Sequence, residues 1–219
     1  MNVILFGATG MVGQGVLREC LLDPDIKKVL SIVRKPTSQE HAKLHELMHK
    51  DFFDLSRIER ELSGFDACFF CLGVSSAGMA EEAYAHTTYD LTMSAARTLV
   101  KLNPGVTFIY VSGQGTDSSE RGRIMWARVK GKTENALLEL PFKGAYMLRP
   151  GIIQPLRGIR SKTKVYQAFY TALGPLLPLL RKLLPNSITT TEQVGRAMIK
   201  IAKQGAPKRI LDNRDINSL

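Results

Sequence analysis

The 219-residue chain contains three cysteines, an odd number, and in a chain this long that argues against a disulfide framework. Cys68 and Cys71 form a C-x-x-C, but they fall in the apolar run Ala67-Cys68-Phe69-Phe70-Cys71-Leu72, which reads as a buried strand. An odd separation along a strand sends the two side chains to opposite faces, whereas a redox pair needs a helix start, so redox chemistry is not expected there. The opening Met-Asn-Val-Ile-Leu-Phe lacks a basic n-region, a long apolar stretch and a small-residue cleavage site. No secretory leader is therefore expected, and the cytoplasm is the expected compartment. No low-complexity linker divides the chain, and 44% hydrophobic residues are enough for one substantial core. The expectation is a single domain over 1–219, with about 151–208 forming a small substrate or cap portion. Acidic residues are in deficit, 20 against 30 Lys and Arg, which leaves a net charge of +10. That suggests an anionic partner, but no recognition motif or aromatic-basic interleaving appears, so no specific nucleic acid is expected.

What the chain does have is the run Val3-Ile4-Leu5-Phe6-Gly7-Ala8-Thr9-Gly10-Met11-Val12-Gly13, an apolar strand entering a glycine loop from which an apolar helix leaves. Gly7 permits the tight turn, Gly10 lets the backbone approach a pyrophosphate, and Gly13 lets the helix pack on the strand. The helix N-terminus, opening at Met11 and Val12 after Thr9, offers free N–H groups and a positive dipole end to phosphates. A dinucleotide is the expected ligand, because a helix through Val16, Leu17 and Leu21 and then a second strand follow the glycines.

Apolar runs alternate with helical patterns along the chain, the signature of a doubly wound parallel sheet with helices on both faces. Strands are expected at 2–6, 28–33, 44–48, 67–72, 106–112 and 144–148, with a seventh around Arg209-Ile210-Leu211. Helices are expected near 12–22, 56–62, 81–102, 123–140, 165–184 and 191–204, the last capped by Thr189-Thr190-Thr191.

The second strand ends in Arg34-Lys35, where an NAD-selective site would place an acidic residue for the ribose 2′-hydroxyl. A cation there fits a 2′-phosphate, and one guanidinium contact of about 1.5–3 kcal/mol favours NADP over NAD by about ten- to a hundred-fold. After the third strand, Asp54 and Leu55 can bracket an adenine. His41, His45 and His49 recur every four residues, as metal ligands on a helix would, but Leu44, Leu47 and Met48 read equally as a strand. With no carboxylate or cysteine at ligand spacing, no metal is expected.

Small residues follow the fourth strand at Leu72-Gly73, where open sheets of this kind bind ligands. The fifth strand delivers Ser112 to the same edge, with Lys130 on the next helix, and the sixth leads into Pro150-Gly151-Ile152, suited to lining a nicotinamide. The apolar stretch at 172–185 is too short and too interrupted by proline to span a membrane. Core or dimer packing is its expected use, with docking on a membrane surface or a protein as the alternative. The basic stretch 157–164 either binds a substrate phosphate or carboxylate or faces water.

With Gly7-Ala8-Thr9-Gly10, Cys71-Leu72-Gly73, Val129-Lys130-Gly131 and Arg149-Pro150-Gly151, the chain resembles the atypical short-chain dehydrogenase/reductase superfamily, the NAD-dependent epimerase-like proteins. It is most similar to the branch of the Tat-interacting oxidoreductase-like proteins and their small bacterial relatives. The resemblance implies a Rossmann fold, a preference for NADP(H), and a Ser-Tyr-Lys set in which Ser112 and Lys130 match the serine and the lysine. The tyrosine position, four residues before the lysine, is Trp126. An indole N–H donates a hydrogen bond but does not titrate usefully, so Tyr89, Tyr84 or Asp117 would have to replace the phenol, while Lys130 could still hold the nicotinamide ribose of the cofactor. Two functions follow as expectations: an NADP(H)-dependent oxidoreductase or epimerase-like enzyme on an undetermined small molecule, or a non-catalytic NADP(H)-binding interaction module.

Overall fold

The computed structural model describes residues 1–37, 39–159, 177, 180, 183, 184 and 186–219. Seven parallel strands form the central sheet: β1 (Asn2–Phe6), β2 (Lys28–Val33), β3 (Leu44–Met48), β4 (Ala67–Phe70), β5 (Thr107–Val111), β6 (Gly144–Arg149) and β9 (Ile210–Asp212). Their order is β3-β2-β1-β4-β5-β6-β9, and every neighbouring pair is parallel. The chain runs outward from β1 in one direction and then, from β4, in the other, so the carboxyl ends of β1 and β4 flank the crevice of a Rossmann sheet. A second, two-stranded parallel ribbon joins β7 (Ile152–Gln154) to β8 (Ile188–Thr190).

Alternation along the strands divides the core into two layers. Val3, Leu5, Ala67 and Phe69 point to one face, covered by α1 (Met11–Leu22) and α5 (Thr191–Gln204); Ile4, Phe6, Cys68 and Phe70 point to the other, covered by α3 (Leu91–Leu102) and α4 (Met125–Glu139). Cys68 and Cys71 follow the same rule, Cys68 in the second layer and Cys71 against the first. The helices α1 and α5 meet closely because both are notched: a methyl on Gly15 would lie 2.7 Å from the Thr191 carbonyl oxygen, and one on Gly195 2.8 Å from Glu19 Cγ. The cap on α5 is as expected, Thr190 accepting from the Gln193 N–H at 3.0 Å.

The helix expected over 81–102 is interrupted. It divides into α2 (Glu81–Ala85), a π-turn at His86–Asp90 and α3. Thr87 Oγ1 donates to the carbonyls of Ala83 and Tyr84, and Thr92 Oγ1 to that of Thr88, so side chains compete with the backbone where it widens. The stretch at Ser56–Leu62 is a 3₁₀ helix, and a short final helix, α6 (Asn213–Ser218), closes the chain with an Asp212–Asp215 capping box. His45 lies in β3 with His41 and His49 outside it, so the spacing of four is not helical. Of the stretch expected to form a cap, Thr191–Gln204 covers the sheet against α1, and the helix expected at 165–184 falls almost entirely outside the described residues. So does most of 172–185, together with the basic stretch from 160 onward.

Candidate functional site

The glycine loop turns because Gly7 sits at φ +85°, and its carbonyl accepts from the Gly10 N–H at 2.9 Å. A methyl on Gly7 would lie 2.6 Å from the Cys71 carbonyl carbon, and one on Gly13 would lie 2.0 Å from the Gly7 oxygen. These two glycines therefore serve packing. At Gly10 a methyl would meet nothing closer than 3.4 Å, and then only its own loop, so this residue leaves space in front of the helix. The N-terminus of α1 has no side-chain cap and no acidic residue in its first turn, and Thr9, Gly10, Met11 and Val12 are partly exposed. Those free N–H groups and the open space fit a pyrophosphate.

Arg34 and Lys35 follow β2 at the same edge, both exposed, and Arg34 forms no hydrogen bond or ion pair with a described residue. The carboxylate that could have neutralised them, Glu46 on β3, is engaged by the Thr37 N–H and hydroxyl. Asp54 is exposed, and the Ser56 hydroxyl together with the Ser56 N–H at 2.9 Å holds its carboxyl below the usual carboxylate range. Leu55 is buried in the core, so its side chain faces the sheet and only its backbone is available to an adenine.

Across the crevice, Leu72 packs on the second core layer and Gly73 is exposed, with nothing near the place of its missing side chain. Ser112 directs its hydroxyl sideways, donating to the Leu148 carbonyl at 3.0 Å, where its oxygen can still accept. Pro150 is buried; Gly151 donates to Asn213 Oδ1 at 2.9 Å and would bring a methyl to 2.3 Å from the Ser187 oxygen. Ile152 is exposed. With Val74 after β4 and Ile124 before α4 it gives the mouth three exposed apolar side chains, two on loops and one at the start of β7.

Lys130, on α4, donates from Nζ to the Ser112 carbonyl at the end of β5. Burial pulls its amine down to about 8, against the pull of Glu134 one turn further along the helix. Trp126 lies one turn before Lys130, half-buried, its indole resting over Gly115: Cη2 is 3.3 Å from the place of a methyl there. Gly115 also has φ +89°, so the seat of the indole accepts no other residue without strain.

Two of the three substitutes for the phenol are engaged through their polar groups, and the third through its ring. Asp117 accepts from Ser119 N–H, Ser119 Oγ and Gly122 N–H, which ties the loop before α4 and holds its carboxyl below the usual range. Tyr84 is buried and partnered, and Tyr89 lies under the Lys132 ammonium, 4.7 Å from its ring centroid. The sequence reading missed Glu134, and it had Arg149 only as part of the Arg149-Pro150-Gly151 motif, without its partner. The available signal was the four-residue spacing from Lys130, which puts Glu134 on the same face of a helix.

Comparisons with known proteins agree with this architecture. The family described as NAD dependent epimerase/dehydratase matches residues 3–117. Protein FMP52-2, mitochondrial, of Scheffersomyces stipitis is 29% identical over 94% of this chain and 89% of its own length. Protein HTATIP2 of Rattus norvegicus, in the Tat-interacting branch indicated by the motifs, is 27% identical over 69% of this chain and 62% of its own length. Among solved structures, the Bordetella bronchiseptica enzyme WbmF in complex with NAD+ superposes with a TM-score of 0.63 at 15% identity, covering 99% of this chain and 76% of WbmF. The cytoplasmic expectation is corrected: FMP52-2 and further fungal relatives are named as mitochondrial proteins. The opening residues, on which that expectation rested, do not select a compartment.

Proposed function

Since the chain belongs to the NAD dependent epimerase/dehydratase family of NAD(P)-binding Rossmann proteins, we propose that it is an NADP(H)-dependent oxidoreductase in which Lys130 supplies the proton that a tyrosine would otherwise give. The observation that carries this reading is the Lys130 amine, held at the end of β5 with its ionisation pulled down to about 8. At neutral pH such a group is an acid, and one matched to giving its proton up. Arg34 at the exit of β2 favours the 2′-phosphate of NADP, and the space before Gly10 accommodates the pyrophosphate.

When bound, NADPH supplies a hydride to a carbonyl carbon. This chain's residues do the rest: Lys130 protonates the carbonyl oxygen, Ser112 Oγ, its own hydrogen bond given to the Leu148 carbonyl, accepts from the hydroxyl so formed, and the indole of Trp126 walls the cleft against water. The exposed Val74, Ile124 and Ile152 favour an apolar carbonyl compound. Consumption of NADPH with a panel of aldehydes, ketones and quinones tests the reading. Turnover by the wild type should fall about 10²–10⁴-fold in Lys130→Met while NADPH still binds. Undiminished turnover in that variant would refute Lys130 as donor.

A second reading rests on the fixed seat of Trp126 over Gly115: a module that binds NADP(H) and presents a conformation to a protein or membrane partner. An inert wild type that gains turnover in Trp126→Tyr supports this module. Strong wild-type turnover that Trp126→Tyr leaves unchanged removes it.

A further inference from the structure

One turn beyond Lys130, α4 buries a carboxylate. Glu134 has no solvent exposure, and both its oxygens accept from Arg149 Nε at 3.1 Å, with Arg149 Nη2 donating to Oε2 as well. Arg149 is the last residue of β6, and its Nη2 also donates to Ser118 Oγ at 2.5 Å in the loop after β5. A single carboxylate thus joins the helix that carries Lys130, the strand that leads to Pro150-Gly151, and the loop that follows Ser112. The other polar groups facing this pocket are Tyr110 from β5, hydrogen-bonded to Thr133 of α4, and Tyr84 from α2, all buried. Burial pushes the Tyr110 phenol far above its usual range, so it stays neutral, and the charges that meet here are Lys130, Arg149 and Glu134.

We propose that Glu134 is a positioning residue of the candidate site: held by Arg149 one helical turn beyond Lys130, its buried charge keeps the Lys130 amine protonated where it donates to the Ser112 carbonyl. Replacing a buried ion pair by apolar side chains is often neutral or stabilising, so stability alone gives weak reason to keep this one. A fixed anion one helical turn from an amine that burial would otherwise neutralise has a use of its own. The catalytic consequence rests on Lys130 acting as the proton donor; the coupling of the charges does not.

The test is the pH dependence of Lys130 acetylation by acetic anhydride on the full chain, read by peptide mass spectrometry, which needs no turnover. The wild-type midpoint is expected near 8. In Glu134→Gln it should fall by about one pH unit, because an opposite charge has been removed. In Arg149→Met it should rise, because the carboxylate is freed to pair with Lys130. A pocket that had merely loosened would move both variants the same way, toward an ordinary lysine. An unchanged midpoint in Glu134→Gln, or shifts of one sign in both variants, overturns the proposal. Should Glu134→Gln not fold, the double variant Glu134→Leu with Arg149→Met, which removes both buried charges, replaces it, and a midpoint there as high as in Arg149→Met alone overturns the proposal. If both shifts appear but Lys130→Met keeps full turnover, the donor reading fails and the coupling stands. If Lys130→Met abolishes turnover but the midpoints do not move, the coupling fails and the donor reading stands.

Discussion

Replacing Lys130 by methionine should make the protein more stable at neutral pH. The amine titrates near 8 in the folded protein against 10.5 for an ordinary lysine, so between those values the unfolded chain binds more protons than the native state. Stability therefore rises with pH across that window; the penalty is present in full below it and gone above it. The gap of about 2.5 pH units, at about 1.4 kcal/mol each, is worth about 3.5 kcal/mol. Methionine also gives up the hydrogen bond to the Ser112 carbonyl, worth about 1 kcal/mol, and the partial exposure of Lys130 screens the remainder. The net gain for Lys130→Met is about 1–2 kcal/mol at about pH 7, vanishing or reversing at about pH 10.5. Urea denaturation of both proteins at the two pH values measures it. The difference between them isolates Lys130 from every other group that titrates in that range. A variant less stable than wild type at neutral pH, or a difference that does not change with pH, would refute the account of Lys130 as a desolvated amine.

The glycine loop separates two kinds of substitution. Gly13→Ala places a methyl 2.0 Å from the Gly7 oxygen and should abolish stable folding by thermal melt, whereas Gly10→Ala, with 3.4 Å of clearance, should melt near wild type but lose NADPH affinity in titration calorimetry. Gly115→Ala removes the seat of the chain's sole tryptophan, so the emission of Trp126 should shift and its quenching by acrylamide should increase. Thr190→Ala should destabilise the protein by about 1 kcal/mol in urea through loss of the α5 cap.

The sheet was legible because its inner strands are largely apolar runs: β1 and β2 begin and end where their patterns do, as does the mixed edge strand β3, and the glycines of the first loop follow a strand directly. The 81–102 helix was legible as helix, but its π-turn was not, because that depends on which carbonyls the hydroxyls of Thr87 and Thr92 reach. In the candidate site, Ser112 and Lys130 were identified by their places after β5 and on α4. The direction of the Ser112 hydroxyl was not, since β6 supplies its acceptor, Leu148, only once the sheet has formed. Leu55, read as an adenine contact, faces the core because the 3₁₀ turn that follows packs against the sheet. Glu134 escaped notice because a buried carboxylate is recognised by its partner, and Arg149 is brought to it only by the packing of α4 on β6.

The central claim is that the crevice between β1 and β4 holds NADP(H) with Arg34 at its 2′-phosphate, and calorimetric titration with NADPH and NADH, for wild type and Arg34→Asp, tests it most directly. The wild type should bind NADPH about ten- to a hundred-fold more tightly than NADH, and Arg34→Asp should erase that preference while leaving NADH binding intact. Equal affinities in the wild type, a preference that survives in Arg34→Asp, or no binding of either dinucleotide would contradict it.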